Sequence, residues 1–385
     1  MLPANEAEEL ALQTDIATSR WHEWLVVAVA LLLGLLIITA SLLRHDGDIA
    51  GLIKFSSNDP EEELLTRPSL APLTAHVEAV LDRSVATTGK QGHDGRFFFL
   101  QALDPLYLSP DEHAVYLDRP RYRAQRMLYP LVAGVGGLVS PEAVLWSMAF
   151  INVAALALGT LGTARLAQRL GGSAWLGLAF TLNPGIIFEF DISGAGIVAF
   201  ACAVWGTLAI IDARTRSAIV WFVAAVLARE VMLLYLAGVC CHRLFVTRRI
   251  PWALGAIPAL SVFAWMGYVR LRLNSTREVT EIQEFGPPFG GMLDAFDNWL
   301  NDPIDLAIIV GLIAMMPLLV LRAVQRPNPL AWGALGFVPL AILMTSQVWF
   351  NFFDISRAIT PIMTAYVLTA FTAPRRRRDD AASPS

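Results

Sequence analysis

Long apolar blocks recur along the chain and are separated by short polar joints. The first runs from Leu25 to Leu43 and has no charged residue over its nineteen positions. A helix of that length crosses the roughly 30 Å of hydrocarbon in a bilayer. Further blocks lie at about 142–163, 173–188, 191–211, 217–245, 251–269, 304–321, 329–349 and 357–372. The pattern predicts an all-α polytopic membrane protein.

Composition supports the same class. Hydrophobic residues make up 55% of the 385 positions and charged residues 16%, and the mean hydropathy is +0.53. These values exclude an ordinary soluble core. Cys202, Cys240 and Cys241 lie in apolar segments without metal-ligand or disulfide spacing, so they are interpreted as small core residues. No metal site or cofactor is expected, and nucleic acid is not an expected partner.

The first apolar block is interpreted as an uncleaved helix rather than a signal peptide. A signal peptide has a basic leader, whereas this leader is acidic and has Arg20 as its only basic residue. We therefore expect residues 1–24 to be a cytoplasmic segment and residues 25–43 to be the first transmembrane helix.

Arginines at the joints predict the orientation of the chain, because basic residues favour the cytoplasmic side. The basic joints contain Arg165 and Arg169, Arg214 and Arg216, Arg243 with Arg248 and Arg249, Arg322 and Arg326, and the tail from Arg375 to Arg378. We expect all of them inside, with residues 373–385 forming a basic cytoplasmic tail. Residues 142–372 would then form the transmembrane bundle.

Two blocks have to be interpreted together to keep the basic joints on one side. Residues 127–139 are short and glycine-rich, so we expect a helix in the outer interface. The block 217–245 must then cross twice, with a helix break at Ala228-Arg229-Glu230. Ten spans result. A rival count of ten makes 127–139 a span and 217–245 a single helix, but it places four arginines outside.

This topology makes residues 44–141 an extracytoplasmic loop that carries juxtamembrane helices. Within it, the stretch GHDGRFFFLQALDP (92–105) places Asp94, Phe97, Phe98 and Gln101 on one helical face. We expect a short amphipathic helix whose phenylalanines rest in the lipid boundary. Asp94 would face an enclosed cavity, and Asp104 would turn the chain before Pro105.

The stretch LDRPRYRAQRMLYP (117–130) interleaves arginines with tyrosines just before the interfacial helix. It contains Arg119, Arg121, Arg123 and Arg126, together with Tyr122 and Tyr129. Such a cluster suits an anionic headgroup or phosphate. The simpler interpretation is ordinary contact with lipid headgroups.

Other polar residues also allow two interpretations. An Asp-Gly pair such as Asp94-Gly95 is most often a turn. Arg229 and Glu230 could neutralise one another as a structural pair, although ionisable residues at membrane depth are functional candidates. Glu189 and Asp191 could simply cap the following helix.

The order of these features resembles a known superfamily, the GT-C fold glycosyltransferases. The closest likeness is to GPI-mannosyltransferase-like and bacterial cell-surface glycopolymer proteins. Their first external loop, with an Asp-Gly and aromatics followed by an interfacial helix, corresponds to HDGRFFFLQALDP and RYRAQRMLYPLVAG. Later features correspond to TARLAQRL (163–170), FTLNPGIIFEFDISGAG and VLAREVMLL. The resemblance covers residues 25 to about 250, and residues 44–91 are an insertion relative to many relatives.

The resemblance implies transfer of a sugar from a polyprenyl-phosphate donor to a glycan, lipid or protein acceptor, with inversion at the sugar. Asp94 would be the general base. Arg126, Arg229 and Arg357 would bind the donor phosphate. Acceptor or secondary-site positions would be Arg96, Gln101, Tyr129, Glu189, Asp191 and Glu230. The site would face the extracytoplasmic side of a bacterial inner membrane.

Two other function classes remain open from the sequence. A transporter or lipid flippase would show paired broken helices in corresponding halves of the chain, and inspection of the sequence finds no convincing repeat. A non-catalytic membrane assembly protein of envelope glycan synthesis would keep the fold without the chemistry.

Overall fold

The structure is a computed structural model that describes residues 4–44, 47–53, 94–110, 117, 119–273 and 285–372, with side chains described from residue 21 onward. The predicted basic tail, 373–385, lies outside the described residues. So does the part of the predicted external loop between 54 and 93.

Helices account for most of the described chain. In chain order they are α1 (Ala4–Arg44), α2 (Asp94–Leu103), α3 (Pro120–Arg123), α4 (Leu128–Ala133), α5 (Pro141–Arg169), α6 (Leu178–Thr181), α7 (Pro184–Asp191), α8 (Gly196–Ile211), α9 (Thr215–Ala228), α10 (Met232–Thr247), α11 (Trp252–Arg272), α12 (Gly290–Leu300), α13 (Pro303–Gln325), α14 (Pro329–Leu335), α15 (Phe337–Leu343), α16 (Ser346–Trp349), α17 (Phe352–Ala358) and α18 (Thr360–Phe371). Short 3₁₀ helices lie at Ile49–Leu52, Gly134–Leu138 and Ala174–Gly177. Within these described ranges the β-structure is an isolated bridge between Phe285 and Met344.

The protein is a helical membrane protein. Four helices within the described ranges are long and apolar enough to cross a bilayer: the part of α1 from Trp21, α5, α11 and α13. Shorter apolar helices include α8, α9, α10 and α18. The count of ten spans stays a prediction.

Helix breaks interrupt the apolar pattern at several points. The predicted block 329–349 is not one helix, since α15 ends at Leu343, where Met344 is extended, and α16 begins at Ser346. The predicted break in 217–245 is present, since α9 ends at Ala228 and α10 begins at Met232. Residues 128–138 form α4 and a 3₁₀ turn, and eleven residues are too short to cross a bilayer as a helix. The predicted span 173–188 is not one helix. It breaks at Asn183, because Pro184 disfavours a helical residue before it and the Asn183 side chain caps α7.

The aromatic run of α2 is packed inside the protein. Phe97, Phe98 and Phe99 are each at most 3% exposed and belong to a core cluster with Ile53, Tyr129 and residues of α5. The Phe98 and Tyr129 rings meet edge to face, 5.3 Å apart. The prediction that these phenylalanines rest in lipid is therefore wrong, because neighbouring protein segments cover all sides of the helix that carry them. Burial there fixes the position of Asp94 more firmly than a lipid contact would.

The main core surrounds α8, which is buried along nearly its whole length between α5 and α9. The Phe200 ring stacks on Phe180 at 5.4 Å, and the hydroxyl groups of Thr207 and Tyr235 are 2.8 Å apart. These two buried hydroxyl groups are thus paired with one another, as their burial requires. The N-terminal end of α8 reaches the charged cluster described next.

Candidate functional site

Six of the residues expected from the sequence to form the site converge in one cluster of ion pairs. They come from five places in the chain: the first residue of α2, the turn before α4, α7, the turn between α9 and α10, and α17. The six are Asp94, Arg126, Glu189, Arg229, Glu230 and Arg357. Their sequence positions span most of the chain, so the tertiary fold assembles the cluster.

Asp94 lies at the junction of three arginines. Its Oδ1 accepts a hydrogen bond from Arg123 Nη1 at 2.7 Å, and its Oδ2 accepts one from Arg357 Nη1 at 2.9 Å. Arg126 Nη1 lies 3.8 Å from Oδ2. The Asp94 side chain is 18% exposed, so water weakens these charge interactions only in part. Charge-assisted bonds of this length are among the stronger polar contacts in proteins.

Arg126 holds a second carboxylate through two of its nitrogens. Its Nε lies 3.3 Å from Glu230 Oε2, and its Nη2 lies 3.4 Å from Glu230 Oε1. The same Nη2 donates to the Tyr122 hydroxyl at 2.7 Å. Two hydrogen bonds to the Glu230 carboxylate and one to the Tyr122 hydroxyl therefore fix the orientation of the planar Arg126 guanidinium.

Glu189 links Arg229 to the N-terminal end of α8. Its Oε1 accepts from Arg229 Nη1 at 3.0 Å, and its Oε2 accepts from the Gly196 backbone N–H at 2.8 Å. Arg357 Nε lies 3.8 Å from the same Oε1. Glu189 therefore caps the start of α8, as one interpretation of the sequence expected, and also binds a cluster arginine. The other structural interpretation paired Arg229 with Glu230. In the structure Arg229 pairs with Glu189, and Glu230 pairs with Arg126.

Small residues make these close approaches possible. A Cβ at Gly196 would overlap the Glu189 carboxylate and lie 2.8 Å from Arg229 Nη1, and a Cβ at Gly194 would also overlap that carboxylate. At the start of α2, a Cβ at Gly95 would overlap the Ile192 carbonyl oxygen. The Asp-Gly of the α2 motif thus allows the helix that carries Asp94 to pack on the backbone beside Glu189.

The surrounding charges determine the protonation of the site. Burial by itself raises the pKa of the Asp94 carboxyl, but Arg357, Arg123, Arg126 and Arg229 outweigh burial and hold the pKa well below its ordinary range. Burial likewise lowers the pKa of Arg126, while Glu230, Tyr122 and Asp94 together raise it well above its usual value. Asp94 is therefore ionised and a weak base in the structure as it stands.

The formal charges of the cluster cancel. Asp354 Oδ1 lies 3.8 Å from Arg357 Nη2 and adds a fourth carboxylate. The described residues of the cluster are then the guanidiniums of Arg123, Arg126, Arg229 and Arg357 and the carboxylates of Asp94, Glu189, Glu230 and Asp354. Among these eight described side chains four positive and four negative charges balance, so an anion that enters between them would take an arginine away from a carboxylate.

Four other residues expected to belong to the site lie around the cluster with different contacts. The Arg96 guanidinium lies 4.4 Å from the centre of the Phe97 ring. Gln101 is buried two turns further along α2, and its amide has no hydrogen-bond partner among the described residues. Tyr129 is buried and donates to the Met148 carbonyl at 3.3 Å. Asp191 is partly buried at the end of α7. Their expected roles at a secondary site stay predictions.

Arg123 contacts Asp94 directly, although the sequence did not single it out as a site residue. It makes the shortest bond to Asp94, and its guanidinium lies 4.0 Å from the centre of the Phe97 ring. Arg126 lies in the turn that follows α3, where its backbone N–H is 3.4 Å from the Arg123 carbonyl oxygen, and the three-residue spacing of the two arginines is the sequence signal that could have paired them. The stretch from Arg119 to Arg126 contains four arginines, and composition alone does not show which of them point inward, so Arg123 could not be distinguished from the others.

Comparison of the chain with known protein families, curated proteins and solved structures found no match.

Proposed function

We propose that the protein is a membrane glycosyltransferase of the GT-C type that moves a sugar from a polyprenyl-phosphate donor to an acceptor hydroxyl. The observation that supports this most is a partly buried carboxylate, Asp94, bonded directly to Arg123 and Arg357 with Arg126 beside them. A base next to several phosphate-binding groups is what transfer from a phosphate-linked sugar requires.

Charge neutrality of the cluster suggests how the donor enters. The donor phosphodiester carries one negative charge and offers oxygens at the spacing that guanidinium forks prefer. It would replace Asp94 on Arg123 and Arg357, with Arg126 Nη1 near enough to bind the same phosphate, so that the number of ion pairs is conserved. Asp94 would then lose the two contacts that most directly hold its pKa down. Donor binding would itself convert a weak base into an effective one.

The transfer step then balances without a covalent enzyme intermediate. The acceptor oxygen forms a bond to the anomeric carbon as its proton passes to the Asp94 carboxylate. The bond from that carbon to the phosphate oxygen breaks, and the electron pair stays on the leaving polyprenyl phosphate. That phosphate gains a negative charge in the transition state, where the arginines stabilise it more than in the bound donor. Attack from one side with departure from the other inverts the sugar.

The finer structural expectations belong to the same proposal. The chain would cross the membrane about ten times, and the cluster would face the extracytoplasmic side of a bacterial inner membrane. The GT-C resemblance and the positive-inside bias of the arginine joints support this orientation.

The experiment that tests the function uses purified protein and a panel of radiolabelled polyprenyl-phosphate sugars with candidate acceptors. Release of free polyprenyl phosphate that depends on acceptor supports the transferase. The Asp94→Asn variant should lower release about a hundredfold or more, while Asp104→Asn should keep most of it. Asp104 is a suitable control because its carboxylate accepts the Leu108 and Ser109 backbone N–H groups, both at 2.8 Å, and makes no ion pair with the described arginines of the cluster. Movement of a lipid-linked sugar across the membrane of proteoliposomes, without cleavage of the bond between sugar and phosphate, would instead indicate a transporter.

A further inference from the structure

Helix α12 (Gly290–Leu300) presents two different surfaces away from the protein. On one side large apolar side chains recur at intervals of four, three and four residues, which keeps them in one row along a helix. They are 47% to 75% exposed and belong to Phe289, the N-cap, and to Leu293, Phe296 and Leu300. The adjoining side carries exposed polar residues, namely Asp294, Asp297, Asn298 and Asn301. An apolar row and an acidic row therefore lie next to each other along one short helix.

The third side of α12 is packed against the protein. Trp299 is buried there, and its indole N–H donates to the Trp349 carbonyl oxygen at 2.6 Å. A Cβ at Gly291 would overlap the Met344 carbonyl oxygen, so the two backbones are in close contact. These contacts fix the rotation of α12 about its axis and keep the apolar row turned outward. They also join α12 to the segment that leads through α16 to α17, which carries Arg357.

The position of α12 in the chain sets its level relative to the membrane. Asn301 and Asp302 alone separate it from α13, which begins at Pro303 and is long and apolar enough to cross a bilayer. Asp302 is exposed and caps α13, so the first turn of α13 marks the edge of the hydrocarbon. With eleven residues α12 is about 16 Å long and too short to cross. It therefore lies near the boundary between lipid and water.

The residue that starts the apolar row has a strained backbone. Phe289 has a φ of +63°, in the left-handed region that large side chains rarely adopt. Its backbone N–H donates to the Ile342 carbonyl oxygen, and the Gly286 N–H donates to that of Leu343, both at 2.8 Å, so the neighbouring segment holds this conformation. The result is a phenylalanine ring that is 52% exposed at the protein surface. Strain that places an aromatic ring outward indicates a use for that ring, and entry into lipid would remove it from water.

We propose that α12 is a membrane-surface anchor, with its apolar row immersed in lipid chains at the leaflet where α13 begins and its acidic row in water. A boundary between hydrocarbon and water suits both rows at once. The charged side chains of α12 are Asp294 and Asp297. Burial of the apolar row therefore holds the helix in place, and lipids without net charge suffice, because acidic residues gain nothing from anionic headgroups. The proposal stands whether or not the protein transfers a sugar.

Nitroxide labels on single cysteines locate the two rows in proteoliposomes of phosphatidylcholine, in protein whose native cysteines are replaced. The label on Leu293→Cys should collide with oxygen more often than with a water-soluble nickel chelate and lie about 5–10 Å below the headgroups. The label on Asp297→Cys should show the opposite preference. Val310, which is 53% exposed on α13, and Arg214, whose side chain is 57% exposed, supply reference positions in lipid and in water.

A matched pair of substitutions tests what holds the helix in place. Leu293→Asp and Asn298→Asp each add one aspartate to α12, the first in the apolar row and the second in the acidic row. With the label on Leu300→Cys, the first substitution should move the label toward water, because a charge in lipid is costly. The second should leave the depth of the label unchanged. Replacing part of the phosphatidylcholine by phosphatidylglycerol should not deepen the label.

Several results would overturn the proposal. Labels at positions 293 and 297 that meet the nickel chelate equally often would place both rows in water. A label at position 293 that is shielded from oxygen and nickel alike would indicate a protein cover, such as a second copy of the chain. Equal displacement of the position-300 label by Leu293→Asp and Asn298→Asp, or a deeper label with phosphatidylglycerol, would show that the apolar row does not hold the helix.

Discussion

Asp94 and Arg357 are 263 positions apart in the sequence, yet Arg357 Nη1 donates to Asp94 Oδ2 at 2.9 Å. This bond joins the start of α2 to α17, near the end of the described chain. The final third of the sequence predicted little more than a series of spans, but it supplies one of the two arginines closest to Asp94. The cluster therefore depends on the whole bundle rather than on the first external loop alone.

Arg126→Lys should weaken donor binding more than Arg229→Lys. Arg126 uses three nitrogens, since Nε and Nη2 face Glu230 and Nη1 points to Asp94, and an ammonium cannot reproduce that fork. Arg229 touches Glu189 through Nη1 alone, so lysine can keep most of its contact. Donor affinity measured by titration should fall about tenfold or more in the first variant and by less than about threefold in the second.

Acceptor dependence serves as the internal control for this pair. The concentration of acceptor that gives half-maximal turnover should change little in either variant, because the arginines are assigned to the donor. Equal donor affinities in Arg126→Lys and wild-type protein would remove Arg126 from the donor site.

Gly196→Ala should destabilise the protein by about 1–3 kcal/mol, because its methyl group overlaps the Glu189 carboxylate and crowds Arg229. The matched control is Gly255→Ala in α11, where the new methyl group would meet Cys240 Sγ at an ordinary 3.6 Å. Thermal unfolding in detergent compares the two. A transition temperature unchanged by Gly196→Ala would show that Glu189 does not hold the position given by the structure.

The pH dependence of activity should differ between free and donor-bound protein. The arginines depress the pKa of Asp94, so the stability they confer is present above its ordinary unfolded value and is lost only as pH falls through the lower folded value. Donor binding should remove part of this depression. The acidic limb of kcat, which reports the complex, should therefore lie about one pH unit or more above that of kcat/KM for the donor. Coincident limbs would contradict the exchange of Asp94 for phosphate.

Membrane orientation can be tested at exposed positions that take no part in the cluster. Cysteine at Leu108, which is 66% exposed, should react with an impermeant reagent from outside. Cysteine at Arg214, whose side chain is 57% exposed, should react only after the membrane is opened. Both belong in a background without Cys202, Cys240 and Cys241. Reaction of the Leu108 site only from the cytoplasm would invert the topology.

The sequence predicted helix type and the identity of most cluster residues better than it predicted packing. Apolar blocks and the Asp-Gly motif carry local information, so α2, the break at Arg229 and the turn at Asp104 could be predicted. Burial of Phe97 to Phe99 could not, because an amphipathic pattern looks the same whether lipid or protein covers the apolar face. The partners of Arg229 and Glu230 were also beyond prediction, since neighbouring charges in sequence say nothing about which distant carboxylate the fold brings close.

The most direct test of the transferase proposal is turnover by Asp94→Asn at saturating donor and acceptor, with donor binding measured on the same preparation. Asparagine has nearly the same size and keeps one acceptor for the arginines, but it cannot take the proton. We expect turnover to fall about a hundredfold or more, the usual scale for a lost general base, while donor binding is at least as tight because a competing carboxylate is gone. Asp104→Asn should keep most of its activity. Near-normal turnover by Asp94→Asn would contradict the assignment of Asp94 as the base and leave Glu189, Asp191 and Glu230 as the carboxylates to test.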